Sequence, residues 1–399
     1  MILPNEDDTH TEYCKCGKII SDPEAHIWED STCTKCYTSH MDHTESEPLY
    51  DTPAFGKDGM WYKECTVCHM LLEYTPVDAV TFDTVTLMHN CLFGNDLSML
   101  YAILKSDLAD CTDIRLVVEK EHYTGNTPTQ AVTKTLYPAE YTIDGKEYYR
   151  FDYCEVRAKE LGDTLKATLF FRREGADYSG IVDTYSLKQY AQERLSASQD
   201  SLYKTLMVEL LGYGAAAQEY FGYRTDALVN RDLSEQDLQD FSRDGYDLIT
   251  GVAENADGTE YAAAITSKNI VFESRIELLV ATNLAKDSDL TGISLRIRYT
   301  DRLGNEKEKF IESKDFVSRT DVNGYVAYFD GLKASEFRTA LELTLVKDGA
   351  PISASVKYSL DTYAKNRLEQ STDEAFKKLL EKTLRYSDSA KDYFAKTSK

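Results

Sequence analysis

The sequence has little positive charge and no long apolar run. Lys and Arg number 45 against 68 Asp and Glu, which gives a formal net charge of −23. Binding to a phosphate backbone requires clustered Lys and Arg, so this balance argues against a nucleic-acid partner. No window approaches the roughly 18 consecutive apolar residues of a membrane span, so we expect no membrane insertion. The start also lacks a secretory signal, which predicts either a cytosolic protein or a fragment whose leader has been removed.

Signals of catalysis are also scarce. None of the common nucleophile, nucleotide-binding or metalloprotease motifs occurs. Outside the cysteine-rich start of the chain, His89 and His122 are the only histidines. We interpret both as surface or packed side chains rather than general bases. A glycan-active hydrolase can instead use two carboxylates, but 68 acidic residues make chance pairs unavoidable, so the sequence identifies no catalytic residue.

A repeat organises most of the 399 residues, a length that suits two or three domains. The stretch 185–195 (YSLKQYAQERL) matches 358–368 (YSLDTYAKNRL) at an offset of 173 residues. The same offset continues downstream, where Tyr213 corresponds to Tyr386. One gapless register over this length indicates a duplicated domain.

Each copy begins with strand patterns and ends with helix patterns. Apolar residues alternate over 114–118 and over 293–299, the period of half-buried antiparallel strands. Spacings of three and four over 206–220 indicate one face of a helix, and we interpret the small residues of 212–217 as a packing face. We therefore predict a mainly β protein with α-helices, in which each copy is a small antiparallel β-sandwich ending in an α-helical hairpin.

The predicted domain organisation has four parts. Between the copies lies a polar stretch in which Ser234 and Asp237 have the spacing of a capping box, which predicts a short helix. The predicted boundaries are 1–76 for a cysteine-rich, zinc-ribbon-like head, 77–225 for the first copy, 226–259 for the linker and 260–399 for the second copy.

Cysteine pairs define the head. Six of the nine cysteines lie close together in pairs near the start of the chain. Cysteines this close in sequence can share one metal ion, but they would close only a small, strained disulfide ring. The head is acidic and poor in apolar runs, so it needs such a cross-link to fold.

These pairs predict one or two structural zinc ions, for which two ligand sets are available. Four thiolates close a tetrahedral zinc site, and two thiolates with two imidazoles form an equally sound one. The ligands predicted for the first site are Cys14, Cys16, Cys33 and Cys36. The ligands predicted for the second site are His40, His43, Cys65 and Cys68. The remaining histidines of the head are reserve ligands, any of which can replace a residue in these sets: His10, His26 and His69.

Two other readings of the cysteine pairs are weaker. A redox dithiol normally lies at a helix start within an α/β layer, and no such layer precedes these pairs. Zinc ribbons also bind nucleic acid, but the acidic surroundings oppose that use.

The head and the repeats resemble parts of known proteins. The stretches 25–36 (AHIWEDSTCTKC) and 59–68 (GMWYKECTVC) are similar to zinc-ribbon-type modules of large secreted surface proteins of anaerobic Gram-positive gut bacteria. The stretch 213–223 (YGAAAQEYFGY) is similar to a β-plus-helix domain of the same proteins. The second module departs from the pattern at Phe55-Gly-Lys-Asp58 and at His69. The resemblance implies an extracellular or cell-surface, non-catalytic accessory region.

The sequence leaves the ligand open. A tyrosine cluster in the first copy, Tyr137, Tyr141, Tyr148, Tyr149 and Tyr153, suits strand packing or a face that binds glycan or protein. Three single cysteines, Cys91, Cys111 and Cys154, are either buried free thiols or, for the first two, a disulfide. We expect a non-catalytic binding or scaffolding protein with adhesion to glycans or host proteins; the alternatives are a glycan-active hydrolase and a passive spacer.

Overall fold

The structure is a computed structural model that describes residues 2–5, 9–13, 15, 18–29, 32–38, 43–51, 58–77, 86–93, 97–173, 175–248, 259–272, 276–286, 288–320, 322 and 324–397. The chain divides into two compact units. One comprises Met1–Thr86, Leu104–Arg115 and Thr168–Ile181, and the other comprises Leu87–Ile103, Leu116–Ala167 and Val182–Lys399. The fold is mainly β with α-helices, as predicted. The domain boundaries near residues 76, 225 and 259 stay predictions.

The head is built from short strands. They form a three-stranded sheet (β1-β2-β3), a hairpin (β4-β5) and a second three-stranded sheet (β6-β7-β8). Such short strands bury little apolar surface, so they depend on other interactions for stability. The strands are β1 (Ile2–Pro4), β2 (Thr9–Glu12), β3 (Glu24–Ala25), β4 (Trp28–Glu29), β5 (Thr32–Cys33), β6 (Leu49–Asp51), β7 (Gly59–Glu64) and β8 (Leu71–Val77).

Most strands of the two copies are longer than most strands of the head. The first copy contains β9 (Met88–Phe93), β10 (Leu97–Leu104), β11 (Cys111–Lys120), β12 (Tyr123–Thr124), β13 (Thr127–Pro128), β14 (Val132–Leu136), β15 (Ala139–Ile143), β16 (Lys146–Val156), β17 (Leu165–Arg173) and β18 (Ala176–Tyr185). The second contains β19 (Ile265–Val271), β20 (Glu277–Thr282), β21 (Ile293–Thr300), β22 (Glu306–Glu312), β23 (Val317–Arg319), β24 (Gly324–Phe329), β25 (Leu341–Lys347), β26 (Ala350–Pro351) and β27 (Val356–Tyr358).

Both copies have the same strand order. In the first copy one sheet runs β9-β10-β16-β15 and the other β14-β11-β17-β18. In the second copy the corresponding sheets run β19-β20-β24-β23 and β22-β21-β25-β26, with β27 also pairing with β25. The small ribbon β12-β13 has no counterpart among the described strands of the second copy. A duplicated domain is expected to repeat its strand order in this way.

The alternating positions fill the core of each sandwich. In β11, Ile114, Leu116 and Val118 are all buried, while the intervening side chains are more exposed. In the second copy, Leu295 of β21 pairs with Leu345 of β25, and both side chains are fully buried. The turn at Asp348-Gly349, where both residues have positive φ, joins β25 to β26. The predicted strand patterns are therefore confirmed.

The helices begin at capping residues that the repeat preserves. Ser186 accepts a hydrogen bond from the backbone N–H of Gln189, and Ser359 accepts one from that of Thr362. The capping box at Ser234 is also confirmed, because it starts the short helix of the linker. The helices are α1 (Leu187–Ala197), α2 (Ser201–Phe221), α3 (Glu235–Phe241), α4 (Leu360–Gln370) and α5 (Glu374–Thr397).

The glycine run of α2 is a packing face, as predicted. A Cβ added at Gly214 would lie 2.5 Å from Leu161 Cδ1 and 3.1 Å from the carbonyl oxygen of Ala158. A Cβ added at Gly212 would meet only the flexible side chain of Lys382, at 3.4 Å or more. Close approach therefore requires glycine at position 214 but not at position 212.

Candidate metal centre

The head buries its metal-ligand residues and exposes its large apolar side chains. Among the described residues of the head, the buried cysteines are Cys33, Cys65 and Cys68, and no aliphatic or aromatic side chain is buried with them. His10 is buried as well. Thiols and imidazoles thus occupy the interior positions that aliphatic side chains occupy in an ordinary core. The exposed large apolar side chains of the head are Leu3, Ile19, Ile20, Ile27, Tyr37, Tyr50, Trp61, Leu71 and Tyr74.

A first cluster forms around Cys33, which ends β5, and Cys36, which lies in the turn after it. The Nδ1 atom of His10, from β2, lies 4.0 Å from the Sγ of Cys33. The Nε2 atom of His26, which follows β3, lies 3.7 Å from the Sγ of Cys36. The ligand atoms of His10, His26 and Cys36 all lie within 4.8 Å of one another. These side chains can therefore reach a common ion.

Electrostatics around the first cluster favour one thiolate. Burial favours the protonated form of both thiols. For Cys36 this effect dominates and raises the pKa. For Cys33 the facing backbone amides outweigh burial and lower the pKa. On the other side of the His10 ring, Nε2 lies 3.7 Å from Glu24 Oε2, and the hydrogen bond from Lys35 lowers the pKa of that carboxyl group. The carboxylate thus faces the imidazole nitrogen that points away from Cys33.

A second cluster contains His43, Cys65 and Cys68. The Nδ1 atom of His43 lies 3.5 Å from the Sγ of Cys68. The ligand atoms of the three residues lie within 4.8 Å of one another. Burial raises the pKa of the Cys65 thiol, but the backbone amides of Cys68 and Val67 and the His43 side chain outweigh it and lower the pKa to about 5. Cys65 is therefore a thiolate at neutral pH, the form that binds metal.

The predicted ligands are placed as follows. The side chain of Cys33 contacts that of Cys36. The ligand atoms of His43, Cys65 and Cys68 lie close together. His69 lies outside the second cluster: its side chain is 71% exposed, and its Nδ1 lies 2.9 Å from Glu64 Oε1. Three predicted ligands lie outside the described residues: Cys14, Cys16 and His40.

Cysteine spacing alone does not identify the two histidines of the first cluster. His26 stands two residues before Trp28, which pairs with Cys33 in the β4-β5 hairpin. His10 lies opposite Glu24 in the β2-β3 pair. Strand pairing, rather than proximity to a cysteine in the sequence, brings both imidazoles to the thiols. For His26, the signal in the sequence is its position just before the short strand β4, which pairs with the strand that contains Cys33.

Both donor sets fit zinc. Ligand atoms that share a tetrahedral zinc ion lie about 3.3–3.8 Å apart, because the bonds to nitrogen and sulfur are about 2.0–2.3 Å long. The S···N distances of 3.5 Å in the second cluster and 3.7 Å between His26 and Cys36 in the first fall in this range, and the 4.0 Å between His10 and Cys33 is slightly longer. When bound, zinc would cross-link the strands that carry its ligands, and a set of four such ligands would close the site to substrate.

The single cysteines of the first copy are free thiols. Cys91 is buried, Cys111 is partly buried and Cys154 is exposed. Complete burial raises the pKa of the Cys91 thiol to about 12, so it stays protonated at neutral pH. The free-thiol alternative, rather than the disulfide, therefore describes these residues.

The tyrosine cluster has two kinds of members. Tyr153 is fully buried, and Tyr148 and Tyr149 are half-buried. Tyr137 and Tyr141 are 74% and 42% exposed. Tyr137 and Tyr141 are therefore the most accessible of the five to a partner.

The fold and these clusters define a mainly β protein with two Cys/His groups that can hold metal ions. In the described part of the chain, no helix is long and apolar enough to cross a membrane. No family model and no curated protein matches the sequence.

Two solved structures align weakly with the chain. The FN1–FN3 domains of chicken CNTN1 align at 8% identity over 75% of this chain and 75% of that chain, with a TM-score of 0.16. Red sea bream transglutaminase aligns at 9% identity over 77% of this chain and 38% of that chain, with a TM-score of 0.15. TM-scores this low carry no argument about function.

Proposed function

We propose that the chain is a non-catalytic, extracellular or cell-surface protein with a binding or scaffolding role, in which a metal-stapled head precedes two copies of one domain whose helices pack on each other. The observation that carries the proposal is the direct packing of α2 on α5, which joins the two copies. A spacer needs only linked domains, whereas a platform that presents a surface needs its domains held in a fixed arrangement.

The contact between α2 and α5 is built from buried side chains. Tyr213 and its counterpart Tyr386 stack with ring centroids 5.4 Å apart and planes 12° apart, and both are buried. Glu209 of α2 is fully buried and lies 3.7 Å from the Nζ of Lys382. The stacked rings, together with the partly exposed Lys382 beside the buried Glu209, pack the two helices closely against each other. This packing holds helix α2 of the first copy against helix α5 of the second.

The first copy also offers a surface suited to a partner. All five residues of β15 are exposed. Tyr141 lies on this strand with the Arg150 guanidinium 5.3 Å from its ring centroid, and Tyr137 precedes the strand. Exposed aromatic rings with hydroxyl groups stack on sugars and anchor protein contacts. We therefore propose a glycan or a cell-surface protein as the partner of the surface formed by Tyr137 and Tyr141.

A binding screen with the full chain tests the proposal. The wild type, Tyr137→Ala/Tyr141→Ala and the control Tyr74→Ala are applied to a glycan array and to immobilised cell-surface proteins. Tyr74 is a matched control because it is an exposed head tyrosine (66%) outside the proposed surface. We expect saturable binding by the wild type and the control, and at least a tenfold loss in the double variant.

Two outcomes would contradict the proposal. A folded chain that binds no glycan and no protein would favour the passive spacer. Release of reducing sugar from a bound glycan would establish a hydrolase and would refute the non-catalytic role.

A further inference from the structure

The Cys33-x-x-Cys36 turn has a well-defined backbone pattern. The N–H of Lys35 donates to the Sγ of Cys33 at 3.4 Å, and the N–H of Tyr37 donates to the Cys33 carbonyl at 2.9 Å. Tyr37 has a φ of 60°. The N–H of Thr34, between the cysteines, donates to the carbonyl of Ile27 at 2.8 Å.

The Cys65-x-x-Cys68 turn repeats this pattern bond for bond. The N–H of Val67 donates to the Sγ of Cys65 at 3.5 Å, and the N–H of His69 donates to the Cys65 carbonyl at 2.9 Å. His69 has a φ of 59°. The N–H of Thr66 donates to the carbonyl of Thr44 at 2.9 Å. The two turns are therefore copies of one metal-binding knuckle.

This equivalence places two histidines at the same position. Ile27 directly follows His26, and Thr44 directly follows His43, so each imidazole precedes the residue that accepts the hydrogen bond from its knuckle. Each histidine places a ring nitrogen near the second cysteine: His26 Nε2 lies 3.7 Å from the Sγ of Cys36, and His43 Nδ1 lies 3.5 Å from the Sγ of Cys68. The chain between the histidine and its cysteine pair is much longer in the second knuckle, because it includes strands β6 and β7. This difference in length hides the relation in the sequence.

His10 completes the first knuckle from a different strand. It is 3% exposed, and its Nδ1 faces the Sγ of the first cysteine at 4.0 Å. Its Nε2 has no hydrogen-bond partner among the described residues, and Glu24 Oε2 lies 3.7 Å away. Metal-bound histidines commonly direct their second nitrogen to a carboxylate, which orients the ring and raises its basicity. A bound cation would shorten this contact by polarising the ring.

We propose that the first metal site uses two imidazoles, with the ligand set His10, His26, Cys33 and Cys36, in place of the four-cysteine set that spacing predicts. The carboxylate of Glu24 orients His10 from the side of the ring that faces away from Cys33. Cys14 and Cys16 are then not required for zinc at this site. The inference rests on the metal-stapled head of the proposed function and specifies its donor atoms.

X-ray absorption spectroscopy of the full-length zinc protein tests the donor set without any substitution. Zinc–sulfur bonds of about 2.3 Å and zinc–nitrogen bonds of about 2.0 Å are resolved as separate shells. Two sites with two sulfurs each give an average of about two sulfur ligands per zinc, whereas a four-cysteine first site raises the average to about three. An average near two is expected, and an average near three overturns the proposal.

Zinc counting by native mass spectrometry of variants provides the second test. We expect His10→Ala/His26→Ala to lose one of two zinc ions, and Cys14→Ser/Cys16→Ser to keep both. His69→Asn is the matched control, because asparagine tolerates the positive φ of this position and the exposed ring is outside both clusters. Loss of one zinc from the cysteine variant, with both retained in the histidine variant, overturns the ligand set. Absence of zinc from the reduced wild type would instead refute the metal-stapled head itself.

Discussion

The head and the repeated copies differ in what their interiors contain. In the copies, the core is made of aliphatic and aromatic side chains such as Leu169, Leu295 and Tyr386. In the described part of the head, the buried side chains are mainly cysteines and a histidine, and most large apolar side chains are exposed. Burial of apolar surface therefore accounts for the stability of the copies. The head requires a different source of folding free energy, and ligand binding to metal can supply it.

The comparison shows why length matters. Strands of two to four residues, such as β3 and β4, leave almost no alternating face to bury. Strands of eight to eleven residues, such as β10 and β16, carry a full apolar face. A small unit that buries too little apolar surface needs a cross-link such as a bound metal ion, whereas a larger unit is stabilised by its core.

The largest expected effect is metal removal. A strong chelator should unfold the head and leave the copies folded, because the metal contributes on the order of 10 kcal/mol to folding of such units. The two tryptophans of the chain, Trp28 and Trp61, both lie in the head, so their fluorescence reports on the head alone. Helical circular dichroism reports on α1 to α5, which all lie outside the head. We expect the fluorescence to change and the helical signal to persist; the reverse pattern would contradict the comparison.

The second effect concerns an ion pair inside the first copy. The Nζ of Lys120 lies 2.5 Å from Glu160 Oε2, and both side chains are buried. Lys120→Met would leave the buried carboxylate with only the exposed Arg157, 3.9 Å away, as a cation, which costs up to about 3–5 kcal/mol. The control Lys166→Met removes an exposed pair with Glu119 and should cost less than about 1 kcal/mol. Urea unfolding followed by helical circular dichroism measures both, and equal effects would show that burial does not govern this region.

The third effect is a pH dependence from Asp163. Burial raises the pKa of its carboxyl group to about 6, although Tyr223 and Arg224 donate hydrogen bonds to it. Because this pKa is higher in the folded chain than the unfolded value of about 3.9, protonation favours folding. The contribution is fully present below pH 4 and is lost as pH rises through 6, which amounts to about 3 kcal/mol.

The Asp163→Asn variant isolates this pH dependence. Its free energy of unfolding, relative to that of the wild type, should rise between pH 4 and pH 6. A difference that stays constant over this range would show that the hydrogen bonds keep the carboxylate ionised in the folded chain.

The smallest effect separates two glycines of α2. Gly214→Ala should destabilise the copies by about 1–3 kcal/mol, because the new methyl group would overlap Leu161. Gly212→Ala should be neutral or stabilising by up to about 1 kcal/mol, because Lys382 can move and alanine favours the helix. Thermal unfolding of the two variants measures the difference. Equal destabilisation by both would mean that the helix face is uniformly tight.

Much of the fold of the copies follows from the sequence. The alternation at Ile114, Leu116 and Val118 gives a strand because one face meets the core at every second residue. The preserved serines at 186 and 359 start helices because their hydroxyl groups bind free backbone amides. These features depend on local spacing, which the sequence shows directly.

The candidate site was less accessible to the same reasoning. Cysteine spacing correctly indicated that Cys33 lies with Cys36, since two residues of separation close one turn. It did not single out His10 and His26, because strand pairing between distant segments brings them to the thiols. The duplication of the knuckle was also hidden, since the two histidines stand at different distances from their cysteine pairs.

Zinc stoichiometry tests the central claim most directly. Native mass spectrometry of the full chain, purified without added metal and with its thiols reduced, counts the bound ions. The account predicts two zinc ions per chain, lost together with the tryptophan signal of the folded head when a chelator is added. A metal-free chain with reduced thiols and an unchanged, folded head would contradict it.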